Sequence, residues 1–250
     1  MTFPFMLHLG TLSLHPHVVF ELMAYSIGFQ IWRRRQKQQP SLTSAKYKIW
    51  LLVAVVLGAA LGARALAWLE TPFDPLTGQW IPPGKTIAGG LLGGWAAIEF
   101  IKKKLGITQR TGDSYVIPLC IGIALGRIGC FLTGLDDHTY GIASSLPWGV
   151  DFGDGIPRHP TQLYEALWLM ALLPLGEVIR KIRAWPSGLG FQAFITAYCA
   201  FRLGIEFLKP TLKIYLGLSA IQWASLIGLL CGLYQIKKLL APPLADREDN

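Results

Sequence analysis

The chain has 250 residues, of which 52% are hydrophobic and only 15% are charged. Soluble domains carry about 25% charged residues, so this composition excludes an ordinary soluble fold and predicts a polytopic membrane protein. The formal net charge of +8 falls on loops without interleaved aromatic residues, which argues against nucleic-acid binding and favours contact with anionic membrane lipid.

Seven apolar segments predict seven transmembrane helices in an all-α fold. They cover residues 16–32, 49–69, 86–101, 115–134, 161–179, 188–208 and 214–236. We therefore expect a single integral-membrane domain over residues 1–240, followed by a short cytoplasmic tail at 241–250. Within the domain, residues 135–160 form the longest connection and are expected to cap the outer face.

Lys and Arg residues are concentrated in one alternating set of connections, at 33–37, 102–104, 180–183 and 237–238. The positive-inside rule places such connections in the cytoplasm. The N-terminus is therefore predicted outside the membrane and the C-terminus in the cytoplasm.

Three single arginines, Arg64, Arg127 and Arg202, lie inside apolar runs in the second, fourth and sixth segments. A cation at membrane depth is costly, so it usually faces the protein interior and meets an anion. At about 1.5 Å of rise per residue, all three fall at a similar height in the outer half of the membrane. We expect them to form one positive pocket that binds a phospholipid phosphate.

The sixth segment also carries Tyr198 and Glu206, which share a helix face with Arg202 because the three are spaced four residues apart. Glu206 can pair with Arg202, and a purely structural ion pair is the alternative to a binding site. However, a guanidinium has five N–H donors, so Arg202 could pair with one carboxylate and still bind a phosphate.

Polar residues also mark the outer end of the fifth segment. Pro160 and Thr161 fit a helix start, and Gln162 and Glu165 follow in the first turn. His159 is either a general base or a hydrogen-bonded structural group at this helix start. The sequence leaves both possibilities open.

The third segment contains the glycine pairs Gly89-Gly90 and Gly93-Gly94. Small residues at such spacing pack membrane helices closely, and a groove for lipid is the alternative. The four cysteines form no CxxC pair and no His/Cys cluster with zinc spacing, so they predict small buried side chains and no metal site.

Several of these segments form a recognisable set along nearly the whole chain. They are residues 12–15, 25–29, 62–64, 89–91, 126–131, 157–165, 198–202 with Glu206, and 218–223. The most specific is the string Arg-His-Pro-Thr-Gln-Leu-Tyr-Glu at 158–165. Together they resemble the prolipoprotein diacylglyceryl transferases, enzymes of the bacterial cytoplasmic (inner) membrane that begin lipoprotein maturation.

The resemblance implies transfer of diacylglycerol from phosphatidylglycerol to the lipobox cysteine of a prolipoprotein, on the outer side of the membrane. Glycerol phosphate would leave, and no metal or organic cofactor would be required. Arg127 and Arg202 would hold the phosphate with support from Arg64. Glu206 would orient Arg202, and Tyr198 would donate a hydrogen bond to the headgroup or leaving group.

The resemblance also implies that His159 or Glu165 positions or deprotonates the incoming cysteine. The remaining residues expected to bind substrate are Arg158, Gln162, Tyr164, Gly89 and Gly90.

The sequence departs from the family pattern at two positions. Ala88 precedes the paired glycines, where members usually have His, and Cys130 stands where they usually have Asn. Two alternatives therefore remain: a divergent paralogue with another thiol or hydroxyl acceptor, and a non-catalytic lipid-binding or transport protein. A transporter would place charges at several depths and often show repeats, whereas the arginines here share one depth and no repeat is visible.

Overall fold

The computed structural model describes residues 3–9, 12–38, 45–70, 84–182 and 185–241. Within these ranges the helices are α1 Pro16–Gln38, α2 Ala45–Glu70, α3 Ile87–Lys104, α4 Val116–Thr133, α5 Thr161–Ile182, α6 Leu189–Ile205 and α7 Ala220–Leu240. Single 3₁₀ turns occur at Gly112–Tyr115, Gly134–Asp137 and Glu206–Leu208. The predicted helical architecture of a membrane protein is confirmed. The predicted tail lies outside the described residues, except for its first residue, Ala241.

Among the described residues, four helical regions are long and apolar enough to cross a membrane, namely Tyr47–Glu70, Gly112–Asp137, Thr161–Ile179 and Leu189–Leu208. Each coincides with a predicted segment. The full count of seven spans and the orientation of the termini remain predictions.

Two short antiparallel strand pairs accompany the helices. Strands β1 (Leu7–Leu9) and β2 (Leu12–Leu14) pair directly before α1. Strands β3 (Val150–Asp151) and β4 (Pro157–Arg158) pair within the connection between α4 and α5. This second pair gives the predicted capping loop a fixed shape, since strand hydrogen bonds hold its two arms together.

The predicted start of the seventh helix at residue 214 is wrong, because α7 begins at Ala220. Ser219 and Gln222 form a capping box there: the Ser219 side chain accepts from the Gln222 backbone N–H at 3.2 Å, and Gln222 Oε1 accepts from the Ser219 N–H at 2.9 Å. This reciprocal pairing satisfies free backbone donors and sets the helix start. Apolar residues before it, including Leu216 with its positive φ, form a turn instead.

Glycines allow α2 and α3 to approach closely. A Cβ added at Gly62 would lie 2.4 Å from the Gly89 carbonyl oxygen, and one at Gly93 would lie 2.3 Å from the Gly58 carbonyl oxygen. Backbone atoms cannot give way at such distances, so these positions require glycine. Gly89 and Gly93 therefore serve helix packing in this structure.

The buried core is formed by residues of every helix from α2 through α7. It includes Leu66, Ala88, Cys120, Ala124, Leu169, Phe194, Tyr198 and Ile221. Many large apolar side chains on the outer helix faces are exposed, such as Leu61 and Leu167, which suits a protein surrounded by lipid. The ends of α4, α5 and α6 next to this core carry the charged residues that form the candidate site.

Candidate active site

A buried carboxylate on α5 connects two of the predicted arginines. Glu165 Oε2 lies 2.9 Å from Arg127 Nε on α4 and 3.2 Å from Arg202 Nη1 on α6. Its other oxygen, Oε1, accepts a hydrogen bond of 2.8 Å from Tyr198 Oη. All four side chains are buried. The structure thus brings four predicted site residues from three helices into direct contact.

Glu206 extends this cluster on the other side of Arg202. Its Oε2 lies 3.0 Å from Arg202 Nη2, and the residue has no exposed surface. The ion pair expected from their four-residue spacing is present. Arg202 therefore lies between two carboxylates, whereas sequence spacing indicated only one.

The two arginines use their donors differently. Nε of Arg127 faces Glu165, and its Nη1 lies 4.0 Å from the sulfur of Cys130. Both terminal nitrogens of Arg202 face carboxylates instead. Each arginine therefore makes two of these contacts, but the terminal nitrogens of Arg127 face no carboxylate among the described residues, so they can still donate to an anionic ligand.

Lys209 is a further buried basic residue, which was not among the predicted site residues. It follows the 3₁₀ turn at Glu206–Leu208, and its backbone N–H bonds to the Glu206 carbonyl. Burial, followed by the nearby charges of Arg202 and Arg127, lowers the pKa of Lys209 to about 7. Lys209 lies three residues after Glu206, and residues at that spacing can share a helical face. This spacing could have predicted Lys209 as a site residue.

A cavity of about 2560 Å³ opens beside the cluster. Its charged part includes Arg127, Arg202, Glu206 and Lys209, and apolar residues such as Leu91, Leu119 and Ile123 line its walls. The cavity also reaches residues of α1, α2 and α3. The cavity thus combines arginine N–H donors at one place with a long apolar wall, which suits an amphiphilic ligand that carries a phosphate.

Residues of the connection between α4 and α5, together with Tyr164 on α5, form a separate group of contacts. Tyr164 Oη accepts from Trp148 Nε1 at 2.8 Å and lies 3.2 Å from His159 Nδ1. Arg158 contacts Asp154 at 2.6 Å and lies over the Tyr140 ring. The hydrogen bond from Arg158 lowers the pKa of Asp154, and the same contact raises the pKa of Arg158.

The other expected binding residues occupy different environments. Arg64 is exposed on α2 and is not joined to the Arg127–Arg202 cluster by any contact among the described residues. Gln162 is buried, and neither atom of its side-chain amide has a hydrogen-bond partner in the described part of the chain. Gly90 lines the cavity, whereas Gly89 packs against Gly62. The roles assigned to these residues remain predictions.

The two positions that depart from the family pattern also differ in their surroundings. Ala88 is buried in the helical core, whereas Cys130 lines the cavity beside Arg127. Cys130 lies 4.0 Å from His17 Nδ1, and the same nitrogen lies 3.4 Å from Asp137 Oδ1. Sequence spacing gave no sign of this group, because its members come from α1, α4 and the following turn.

These features define a helical membrane protein with a buried cluster of charged residues beside a large cavity. The sequence model of the prolipoprotein diacylglyceryl transferase family matches residues 4–237. The chain therefore belongs to this family, which confirms the resemblance and makes the protein a multi-pass bacterial membrane protein.

Similar proteins come from several bacteria. A phosphatidylglycerol–prolipoprotein diacylglyceryl transferase of Bordetella avium (strain 197N) is 33% identical over 251 residues, covering 92% of each chain. A protein of the same name from Nitratidesulfovibrio vulgaris (strain DP4) is 30% identical over 238 residues, covering 91% of this chain and 89% of the relative. The similarity therefore extends over almost the whole protein.

Proposed function

We propose that this protein transfers the diacylglyceryl group of phosphatidylglycerol to the lipobox cysteine thiol of a prolipoprotein. The observation that carries the proposal is the buried Arg127–Glu165–Arg202 cluster at the charged end of a large apolar cavity. The names of the similar proteins contain both substrates. The protein would act in the bacterial inner membrane, with its site toward the outer side.

The lipid headgroup fits the charged end of the cavity. The terminal nitrogens of Arg127 would donate hydrogen bonds to the phosphate, since Nε is already held by Glu165. Glu165 and Glu206 hold Arg202 in place, and Arg202 adds positive charge near the phosphate. The acyl chains would extend along the apolar walls of the cavity.

The reaction is a substitution at a glycerol carbon. The acceptor sulfur forms a bond to this carbon, the bond from the carbon to a phosphate oxygen breaks, and glycerol phosphate leaves with the electron pair. The acceptor thiol gives up its proton to water. Arginines placed before the reaction lower its barrier because negative charge grows on the leaving phosphate.

The protein side of the substrate would meet the outer connection between α4 and α5. His159, Tyr164 and Trp148 form a hydrogen-bonded group there, and Arg158 is held by Asp154. The unpaired amide of Gln162 suggests a ligand contact, since a buried polar group without a partner costs about 1–3 kcal/mol. We assign these residues to positioning of the lipobox segment and headgroup.

Labelled phosphatidylglycerol and a lipobox peptide test the function with the purified, lipid-reconstituted protein. We expect thioether-linked diacylglyceryl peptide from the unchanged chain and a loss of at least about 100-fold in Arg127→Ala. Arg34→Ala, which removes an exposed arginine at the end of α1, serves as the matched control. Equal product in Arg127→Ala would refute the phosphate role. Phosphatidylglycerol binding without any product would refute the transferase and leave a lipid-binding protein.

A further inference from the structure

We propose that His17, Cys130 and Asp137 form a binding site for a divalent transition metal of the zinc type. Their potential ligand atoms, an imidazole nitrogen, a sulfur and a carboxylate oxygen, all lie within 4.8 Å of one another. One nitrogen, Nδ1 of His17, faces both other groups. Sequence spacing predicted no metal site, because these three residues are far apart in the chain or lack the spacing of known zinc motifs.

The distances are near those of a tetrahedral zinc site. Zinc bonds of 2.0–2.3 Å place the nitrogen and oxygen ligands about 3.4 Å apart and the nitrogen and sulfur about 3.6 Å apart. The corresponding separations here are 3.4 Å from His17 to Asp137 and 4.0 Å from His17 to Cys130. All three ligand atoms lie within 4.8 Å of one another, so side-chain movements of up to about 1.2 Å would complete the site.

A carboxylate lies near the second ring nitrogen of His17, slightly beyond hydrogen-bond distance. Metal-binding histidines usually direct the second ring nitrogen toward a carboxylate, and Nε2 of His17 lies 3.7 Å from Glu21 Oε2. Glu21 itself accepts hydrogen bonds from Tyr25 Oη at 2.9 Å and Lys85 Nζ at 3.1 Å. This arrangement leaves Nδ1 of His17 directed toward Cys130 and Asp137.

The other two ligands are also positioned. The Asp137 oxygen Oδ2 accepts from the Thr139 hydroxyl, which leaves Oδ1 facing His17. Nη1 of Arg127 points toward the Cys130 sulfur and would stabilise a thiolate. Asp137 and Cys130 are largely buried, while His17 is partly open to the cavity.

Three protein ligands leave a fourth zinc position open, as in catalytic sites. All three residues line the same cavity as Arg127, so that position would face the lipid site. A thiol bound there gives up its proton to water. We assign this position to the acceptor cysteine, and this assignment rests on the proposed function. The sulfur of that cysteine would attack the glycerol carbon as glycerol phosphate leaves.

Metal binding can be measured without activity. After purification, chelation, reloading with zinc and removal of excess metal, we expect about one bound zinc per chain. With cobalt, the unchanged protein should show sulfur-to-cobalt charge-transfer absorption. Both signals should be lost in Cys130→Ala and His17→Ala, and at least about 10-fold weaker binding is expected in Glu21→Gln.

Two variants control for unspecific binding. Cys231→Ser removes an exposed thiol on α7, and His138→Ala removes an exposed histidine next to Asp137. Both should retain the zinc and the cobalt absorption. Thermal unfolding of each variant checks folding. No stoichiometric zinc in the unchanged protein, or equal zinc in folded Cys130→Ala, would overturn the site.

The functional role has a separate test. Loss of peptide transfer after chelation, with recovery on adding zinc and with phosphatidylglycerol binding unchanged, would support coordination of the acceptor thiol. Full transfer by the metal-free protein would overturn that role while the binding data stand. Specific zinc binding in a protein that never forms product would overturn the transferase and retain the metal site.

Discussion

Arg127 and Arg202 contact the same carboxylate oxygen, Oε2 of Glu165, at 2.9 Å and 3.2 Å. This shared contact links α4, α5 and α6 and keeps two positive side chains close together in a buried region. Without Glu165 the arginines would repel each other, because charges interact strongly where water is excluded. In the same arrangement only Nε of Arg127 contacts Glu165, and Nη1 lies 4.0 Å from the Cys130 sulfur.

Replacing Glu165 with glutamine should therefore destabilise the fold. The substitution preserves shape but removes the charge shared by Arg127 and Arg202, and breaking a buried ion pair costs about 3–5 kcal/mol. We expect a lower midpoint of thermal unfolding in detergent and loss of transfer activity. Glu99→Gln, at an exposed position on α3, is the control. An unchanged unfolding midpoint in Glu165→Gln would show that the ion pairs contribute little.

The two arginines should respond differently to removal. Arg127→Ala is expected to weaken phosphatidylglycerol binding with a smaller loss of stability than Arg202→Ala, because Arg127 pairs with one carboxylate and Arg202 with two. Arg202→Ala should lower the unfolding midpoint more, since it leaves Glu206 without its ion-pair partner and Glu165 with only one arginine. Lipid-binding titrations and thermal unfolding on the same samples separate these effects. Equal losses in both measurements would contradict the division of roles.

Lys209 should make lipid binding depend on pH. Because the pKa of Lys209 is lowered to about 7, the side chain gains a positive charge as pH falls through this value. The phosphodiester of phosphatidylglycerol stays charged there, so its affinity should rise about 3–10-fold between about pH 8 and pH 6. Lys209→Gln should flatten the profile. An equally steep profile in this variant would assign the effect to another group.

Protonation of Lys209 at low pH should strengthen lipid binding, but it should destabilise the fold. A lysine titrates near 10.4 when unfolded and near 7 in this fold. Between these values the unfolded chain binds more protons, so the Lys209 contribution to the free energy of unfolding rises with pH. Below about pH 7 its destabilising effect is fully present. Comparing the unfolding midpoints of the unchanged protein and Lys209→Gln at several pH values isolates this contribution.

The contact between α2 and α3 should not tolerate a methyl group at Gly93. A Cβ there would lie 2.3 Å from the Gly58 carbonyl oxygen and 2.9 Å from Gly62 Cα. Overpacking of this kind costs about 1–3 kcal/mol, so Gly93→Ala should lower the unfolding midpoint. Gly176→Ala is the matched change on α5, where an added Cβ meets no atom within 4 Å. Its midpoint should be unchanged or higher, and equal losses in both variants would refute close packing at Gly93.

The apolar runs were enough to predict a helical membrane protein, because the length and polarity of such a run are local properties of the sequence. It also indicated the Arg202–Glu206 pair, since four-residue spacing places both side chains on one helical face. The start of α7 was misplaced because apolar residues around Leu216 continue the hydropathy signal. A second local feature, the capping box of Ser219 and Gln222, marks where the helix begins.

Helix rotation and the contacts between distant residues depend on packing in the tertiary structure, and spacing along the sequence does not predict them. Packing of α4 and α6 against α5 gave Arg127 and Arg202 the same partner, Glu165. The rotation of α2 left Arg64 exposed, although helix rise had placed it at a similar depth. His17, Cys130 and Asp137 came together for the same reason. Spacing within a helix determines its faces, but which face meets which neighbour depends on packing along the whole molecule.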